Sequence, residues 1–215
     1  MNTPSPAAVA EALDRFEPAP DFSLPGRTNH IMAATLVPLR WSADLTAVFT
    51  LRSTGLRQHA GEVCFPGGTP EAQDGDLLTT ALREAEEELG IVRPRILGQL
   101  SRNPDYTSDH RITPFVAAID DTPLRPAPYE VAQILELSVP EILREPTIEG
   151  LPFPMKGTMS WSPLFHVDGH VIYGATAHTF LELLEVLAPL FGLSVPPFAR
   201  GDTEWADLLP PGVTV

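Results

Sequence analysis

Between Leu82 and Ile91 the chain reads LREAEEELGI, which puts four glutamates into five consecutive positions, Glu84 to Glu88. Like charges three or four residues apart weaken a helix by roughly 0.2–0.5 kcal/mol per pair, so this density of acid needs a compensating partner. On a helix advancing about 100° per residue from Glu84, Glu87 falls at about 300° and Glu88 at about 40°. These three share one narrow arc and Glu86 lies away from it. Leu78, Ala81, Leu82, Ala85 and Leu89 form an apolar stripe beside the arc. Arg83, one turn before Glu87, is placed to neutralise it and fix its rotamer. Three carboxylates on one edge of a helix suit a hard divalent cation, which takes oxygen ligands and completes its shell with water and substrate phosphates. On spacing alone a solvated acidic helix face is the competing reading, and the flanking sequence decides for a cation, Mg2+ or Mn2+, acting on a phosphate compound.

An acid helix of this kind needs a sheet to hold it. HIMAATLVPLRW and DLTAVFTLRS read as two strands joined by a short turn, and GEVCF as a third short strand broken by PGG. DLLTTALREAEEELG reads as the acid helix, with Asp74 or Asp76 near its N-cap and Gly90 as its stop. RILGQLSR and RITPFVAAID suggest a hairpin whose long loop contains NPDYTSDH. VAQILELSV reads as a strand, and PEILRE opens a short helix with proline at its start. WSPLFHV and HVIYGA form another hairpin around Asp168-Gly169, and TAHTFLELLEVLAPLFG closes the domain as an amphipathic helix. Strands alternating with two long helices imply the α/β class with a mixed sheet.

The chain of 215 residues fits one domain with appendages: an N-terminal helix and linker over 1–28, the main domain over 29–193, and a tail over 194–215. Its 43% hydrophobic and 20% charged content is that of a globular protein. No apolar run approaches membrane-spanning length. The N-terminal stretch has neither a basic start nor an apolar core of the secretory kind, and a cytoplasmic location is expected. Cys64 is the only cysteine, which rules out an internal disulfide and a multi-thiolate zinc site. A net charge of −14 argues against nucleic acid as a partner; a small phosphorylated molecule held by a local basic cluster remains open. The six histidines show no metal-ligand pairing, and the late ones, His166, His170 and His178, read as structural or exposed.

FPGGTPEAQDGDLLTTALREAEEELGI, Phe65 to Ile91, resembles the Nudix box. Arg83, Glu84, Ala85, Glu87, Glu88, Gly90 and Ile91 fill the second half of that pattern. The first half is one residue longer than the family spacing, with Asp74 or Asp76 in place of the mid-loop acid. Just upstream, TLRSTGLRQHAGEVCFPGG is similar to the motif of the coenzyme A pyrophosphatase branch, matched at Thr50, Arg52, Ser53, Arg57, Gly61, Phe65, Pro66, Gly67 and Gly68. YGATA, Tyr173 to Ala177, is similar to a segment that opens the last helix in the same branch.

The resemblance implies an α/β/α sandwich with a mixed central sheet and metal-dependent hydrolysis of a diphosphate. For this branch it implies coenzyme A or its derivatives as substrate, with 4′-phosphopantetheine and adenosine 3′,5′-bisphosphate as products. It assigns Glu84, Glu87, Glu88 and the Gly68 carbonyl to the metal, with Arg83 holding Glu87. Thr50, Arg52, Ser53, Arg57, Phe65, Gly67 and Gly68 would bind substrate. Arg52 and Arg57 form the basic cluster suited to phosphate oxygens, and Phe65 doubles as core packing. The base that activates water is one of the helix glutamates or a later acid, Glu130 or Asp168. Cys64 reads as a small buried hydrophobe.

Overall fold

A computed structural model describes residues 3–56, 58–155 and 158–209. In the main sheet, β1 (Ile31–Trp41) runs parallel to β7 (His110–Ile119), with Ala34 opposite Thr113 and Leu36 opposite Phe115. β2 (Leu45–Arg52) is antiparallel to β1 and carries β3 (Val63–Cys64) and β8 (Val131–Ser138). The short β4 (Gly67–Gly68) pairs antiparallel with β1; β5 (Arg95–Gln99) and β6 (Asn103–Pro104) pair with β7. One parallel pair among antiparallel neighbours makes the sheet mixed, as expected.

Period-two alternation sends successive side chains to opposite faces, and this sorts the core into two layers. On one face Ala34, Leu36 and Val48 meet Ala81, Ala85 and Leu89 of α2 (Leu77–Leu89). On the other, Val37, Leu39 and Phe49 meet Val9 and Leu13 of α1 (Pro6–Asp14) and Phe180, Leu183 and Leu187 of α4 (Gly174–Leu187). Helix, sheet and helix give the α/β/α sandwich. The N-terminal helix is thus packed into the domain core.

The sequence suggested one sheet, whereas the chain builds a second. β9 (Ile148–Met155) pairs with β10 (Thr158–Val167), flanked by β11 (His170–Ile172) and the short, parallel β12 (Phe198–Ala199). β9 lies in the proline-rich stretch that gave no strand signal, because a proline withholds a ladder donor. Pro152 nevertheless sits opposite Trp161, and its carbonyl accepts from the Trp205 indole at 3.0 Å. The β10–β11 turn is as expected, with positive φ at Asp168 and Gly169. Two short helices, α3 (Val139–Ile142) and α5 (Trp205–Leu208), complete the set. Among the described residues no helix is long and apolar enough to cross a membrane.

Candidate active site

α2 begins at Asp76, whose carboxylate accepts from the Thr79 N–H at 2.7 Å, and ends at Gly90 in the left-handed region, φ 68°. Its apolar stripe seats it on β1, which turns the acid edge toward β4. The fit there is close. A Cβ on Gly67 would lie 2.7 Å from the Thr35 Cα, and one on Gly68 2.7 Å from the Glu84 carboxyl carbon. The glycine pair therefore makes room for β1 behind it and for Glu84 beside it.

The three acids of the arc divide into two environments. Glu84 Oε1 and Glu87 Oε2 each lie 3.0 Å from Arg83 Nη1, and Glu87 is largely exposed. Glu88 points inward and is only 2% exposed. It accepts from the Gly67 N–H and lies 3.4 Å from Arg52 Nη1, while its Oε2 is buried without a hydrogen-bond partner. Burial, with the Glu84 and Glu130 charges adding to it, pushes the Glu88 carboxyl up to about 7 against the pull of Arg52. The Glu84 carboxyl is also raised, first by burial.

Arg83 holds this edge. Its Nε and Nη2 donate to Asp74 at 3.0–3.3 Å, and Nη2 also reaches the Thr69 carbonyl at 3.2 Å. Those bonds hold the Asp74 carboxyl down at about 2. Of the two loop acids left open by the sequence, Asp74 ties the loop to Arg83 and Asp76 caps the helix.

Among the described residues no three His, Cys, Asp or Glu side chains form a ready cluster for a metal, because Arg83 draws Glu84 and Glu87 to itself. The donor set still fits a divalent cation. A buried carboxylate with an unpaired oxygen is costly, and two neighbouring carboxyls with raised pKa values share the electrostatic strain that a cation relieves.

A cavity of about 260 Å³ opens from Gly67, Gly68 and Thr69. Arg52 and Phe65 also line it; Phe65 stacks on Phe49 at 4.5 Å between ring centroids, so it is core and wall together. Thr50 is buried outside the lining, and its hydroxyl donates to the Cys64 carbonyl. Ser53 starts the following loop, its N–H bonded to the Glu130 carbonyl. Arg57 lies outside the described residues. Cys64 lines the cavity, but burial pushes its thiol up to about 12 and leaves it a poor nucleophile. Of the two later acids, Glu130 is close enough to raise both Glu84 and Glu88. It gets there because the chain after β7 crosses the end of α2, where the Arg125 and Ala127 N–H groups donate to the Leu89 and Glu88 carbonyls. Asp168 is exposed in the β10–β11 turn and does not line the cavity.

Four cavity residues, His59, Glu62, Asp105 and Tyr106, were not singled out by the sequence; with Tyr173 of the YGATA segment they come from three distant segments. The loop holding Asp105 is pinned by buried Asn29, whose side-chain amide donates to the carbonyls of Asp105, Ser108 and His110 at 3.1–3.3 Å. His178 is buried against the Tyr106 hydroxyl at 2.7 Å, and burial lowers its pKa to about 4.

The model of the NUDIX domain matches residues 31–152. A mouse protein named mitochondrial coenzyme A diphosphatase NUDT8 is 36% identical over 187 residues, 81% of this chain and 88% of that protein. A protein of Yersinia enterocolitica named uncharacterized Nudix hydrolase NudL is 35% identical, over 82% of this chain and 92% of its own length. A protein of the same name from Photorhabdus laumondii is 32% identical, over 83% and 97%. With the acid edge of α2, the Arg83 fork and the Gly67-Gly68 seat inside the matched span, the chain belongs to the Nudix hydrolase family.

Proposed function

We propose that this protein hydrolyses the diphosphate of coenzyme A and its derivatives to 4′-phosphopantetheine and adenosine 3′,5′-bisphosphate, with Mg2+ or Mn2+ as cofactor. The observation that carries the reading is the buried, half-satisfied Glu88 carboxylate set near Glu84 and against the Gly67-Gly68 pair that lines the cavity. The mouse relative, named as a coenzyme A diphosphatase, supports the substrate class. A cytoplasmic location goes with this reading.

Glu84 and Glu88 would hold the ion, with the Gly68 carbonyl and Glu87 beside them. When bound, it withdraws charge from the phosphoryl oxygens. Arg83 keeps the Glu84 and Glu87 carboxylates oriented and ties the Asp74 loop to the helix. The Gly67 N–H and Arg52 fix the Glu88 rotamer, and the guanidinium of Arg52 supplies positive charge at the cavity mouth for a phosphate oxygen. Glu130, whose charge acts on both acids, would be the base that takes a proton from attacking water.

The test is product identification from coenzyme A with Mg2+ in isotopically labelled water, beside NADH and ADP-ribose under the same conditions. Label in one of the two phosphate products, with slower cleavage of the other compounds, is the expected result. Equal rates on all three would remove the coenzyme A assignment and leave a general nucleoside-diphosphate hydrolase.

A further inference from the structure

Besides Gly68, the cavity is lined by a hydrogen-bonded network. His59 Nδ1 lies 2.9 Å from Glu62 Oε2 and its Nε2 lies 3.5 Å from Asp105 Oδ2. The Tyr173 hydroxyl donates to Glu62 as well. Asp105 further accepts from the Thr107 N–H and hydroxyl, and the Tyr106 hydroxyl is engaged with Ser162 and His178. Three loops distant in sequence thus meet over one end of the cavity. His59 holds a left-handed backbone there, φ 54°, a conformation that non-glycine residues adopt chiefly where surrounding structure imposes it.

The side-chain donors of this network face its own carboxylates. Both ring nitrogens of His59 face carboxylates, and Tyr173 is committed to Glu62. Each carboxylate offers about four acceptor sites, so Glu62 and Asp105 keep acceptor capacity after those bonds. A phosphate brought here would meet two like charges and no uncommitted cation of the network. A ligand carrying N–H or O–H donors would meet acceptors. Val63, Phe65 and Ile112 supply apolar wall between the two ends. At about 260 Å³, the space falls below the roughly 300–1,000 Å³ that buries a whole drug-sized ligand, so it houses one arm of a larger substrate.

Resting on the coenzyme A reading above, we infer that this cavity takes the uncharged, amide-bearing pantetheine arm, with the Glu62 carboxylate as its acceptor, and leaves the phosphorylated nucleoside outside. Glu62 is then a specificity-determining residue, and Tyr173 positions it.

The two product halves serve as probes in calorimetric titration of the full chain with Mg2+. Glu62→Gln keeps the shape, and Tyr173→Phe removes one donor; a thermal melt reports the fold of each. Loss of the acceptor's charge should weaken 4′-phosphopantetheine about three- to tenfold in Glu62→Gln, whose amide oxygen still accepts, and less in Tyr173→Phe. Adenosine 3′,5′-bisphosphate should change by less than about twofold. In turnover, Glu62→Gln should raise KM for coenzyme A with kcat little changed, a split that general loss of structure does not produce. The inference is overturned if the adenosine product is weakened instead, if both products weaken equally, or if neither binds. Retained 4′-phosphopantetheine binding without cleavage of any coenzyme A form would overturn the proposed reaction while leaving the binding assignment standing.

Discussion

The Glu84 carboxyl carbon stands 2.7 Å from where a Cβ on residue 68 would lie, so Gly68 and Glu84 share one space. Position 67 is tight for another reason, since a Cβ there would lie 2.7 Å from the Thr35 Cα of β1. The two adjacent glycines should therefore fail differently. Gly68→Ala pushes a side chain that can rotate away, so turnover should fall at least about tenfold while the fold persists. Gly67→Ala meets backbone, and overpacking of that kind costs about 1–3 kcal/mol. Its melting temperature should drop by roughly 2–10 °C. Melts beside steady-state rates check both, and a pair of variants with the same profile would contradict the geometry.

Glu84→Gln and Glu88→Gln should each reduce turnover by more than about 100-fold, the upper range for loss of partners that only orient metal ligands. Wild-type rates in either variant would remove its assigned role.

The metal-free protein carries a pH signature from the same residue. The Glu88 carboxyl sits at about 7 in the fold against an ordinary 4.5. A raised carboxyl contributes stability that is fully present below the unfolded value and is lost as pH rises through the folded one. Denaturant melts in chelator should show wild type losing up to about 3 kcal/mol relative to Glu88→Gln between pH 4.5 and 8. A pH-independent difference would show that the buried carboxylate is not strained.

His178 has the opposite sign. Its pKa falls from 6.5 to about 4 on burial, so its neutral form contributes stability above pH 6.5 that is lost as pH falls toward 4. The expected loss is up to about 3 kcal/mol, carried by burial of the imidazole. His178→Gln should flatten this part of the profile, read as melting temperature against pH from 7 to 4. An unchanged slope would assign the acid sensitivity elsewhere.

The two loop aspartates separate cleanly. Asp76→Ala removes the cap of α2 and should cost about 1 kcal/mol with turnover intact. Asp74→Ala frees Arg83, which then holds Glu84 and Glu87 less firmly; kcat should fall about 10–100-fold. The reverse pattern in rates and melts would exchange their roles.

By itself, the sequence determined what is local and periodic. The acid arc, the apolar stripe that seats it, the Gly90 stop and the alternating strands all follow from the spacing of residues along one element, and the structure contains each of them. Tertiary structure decided what depends on neighbours arriving from elsewhere. Helical spacing treats Glu84, Glu87 and Glu88 alike. Only the packing of β4 and Arg52 buries Glu88, and only the fork of Arg83, shared with Asp74, ties down the other two. The cavity network joins His59, Asp105 and Tyr173 across more than a hundred residues, and β9 forms through prolines because its partner strand supplies the pairing. Desolvation and long-range contact have no period along the chain, so no spacing of residues announces them.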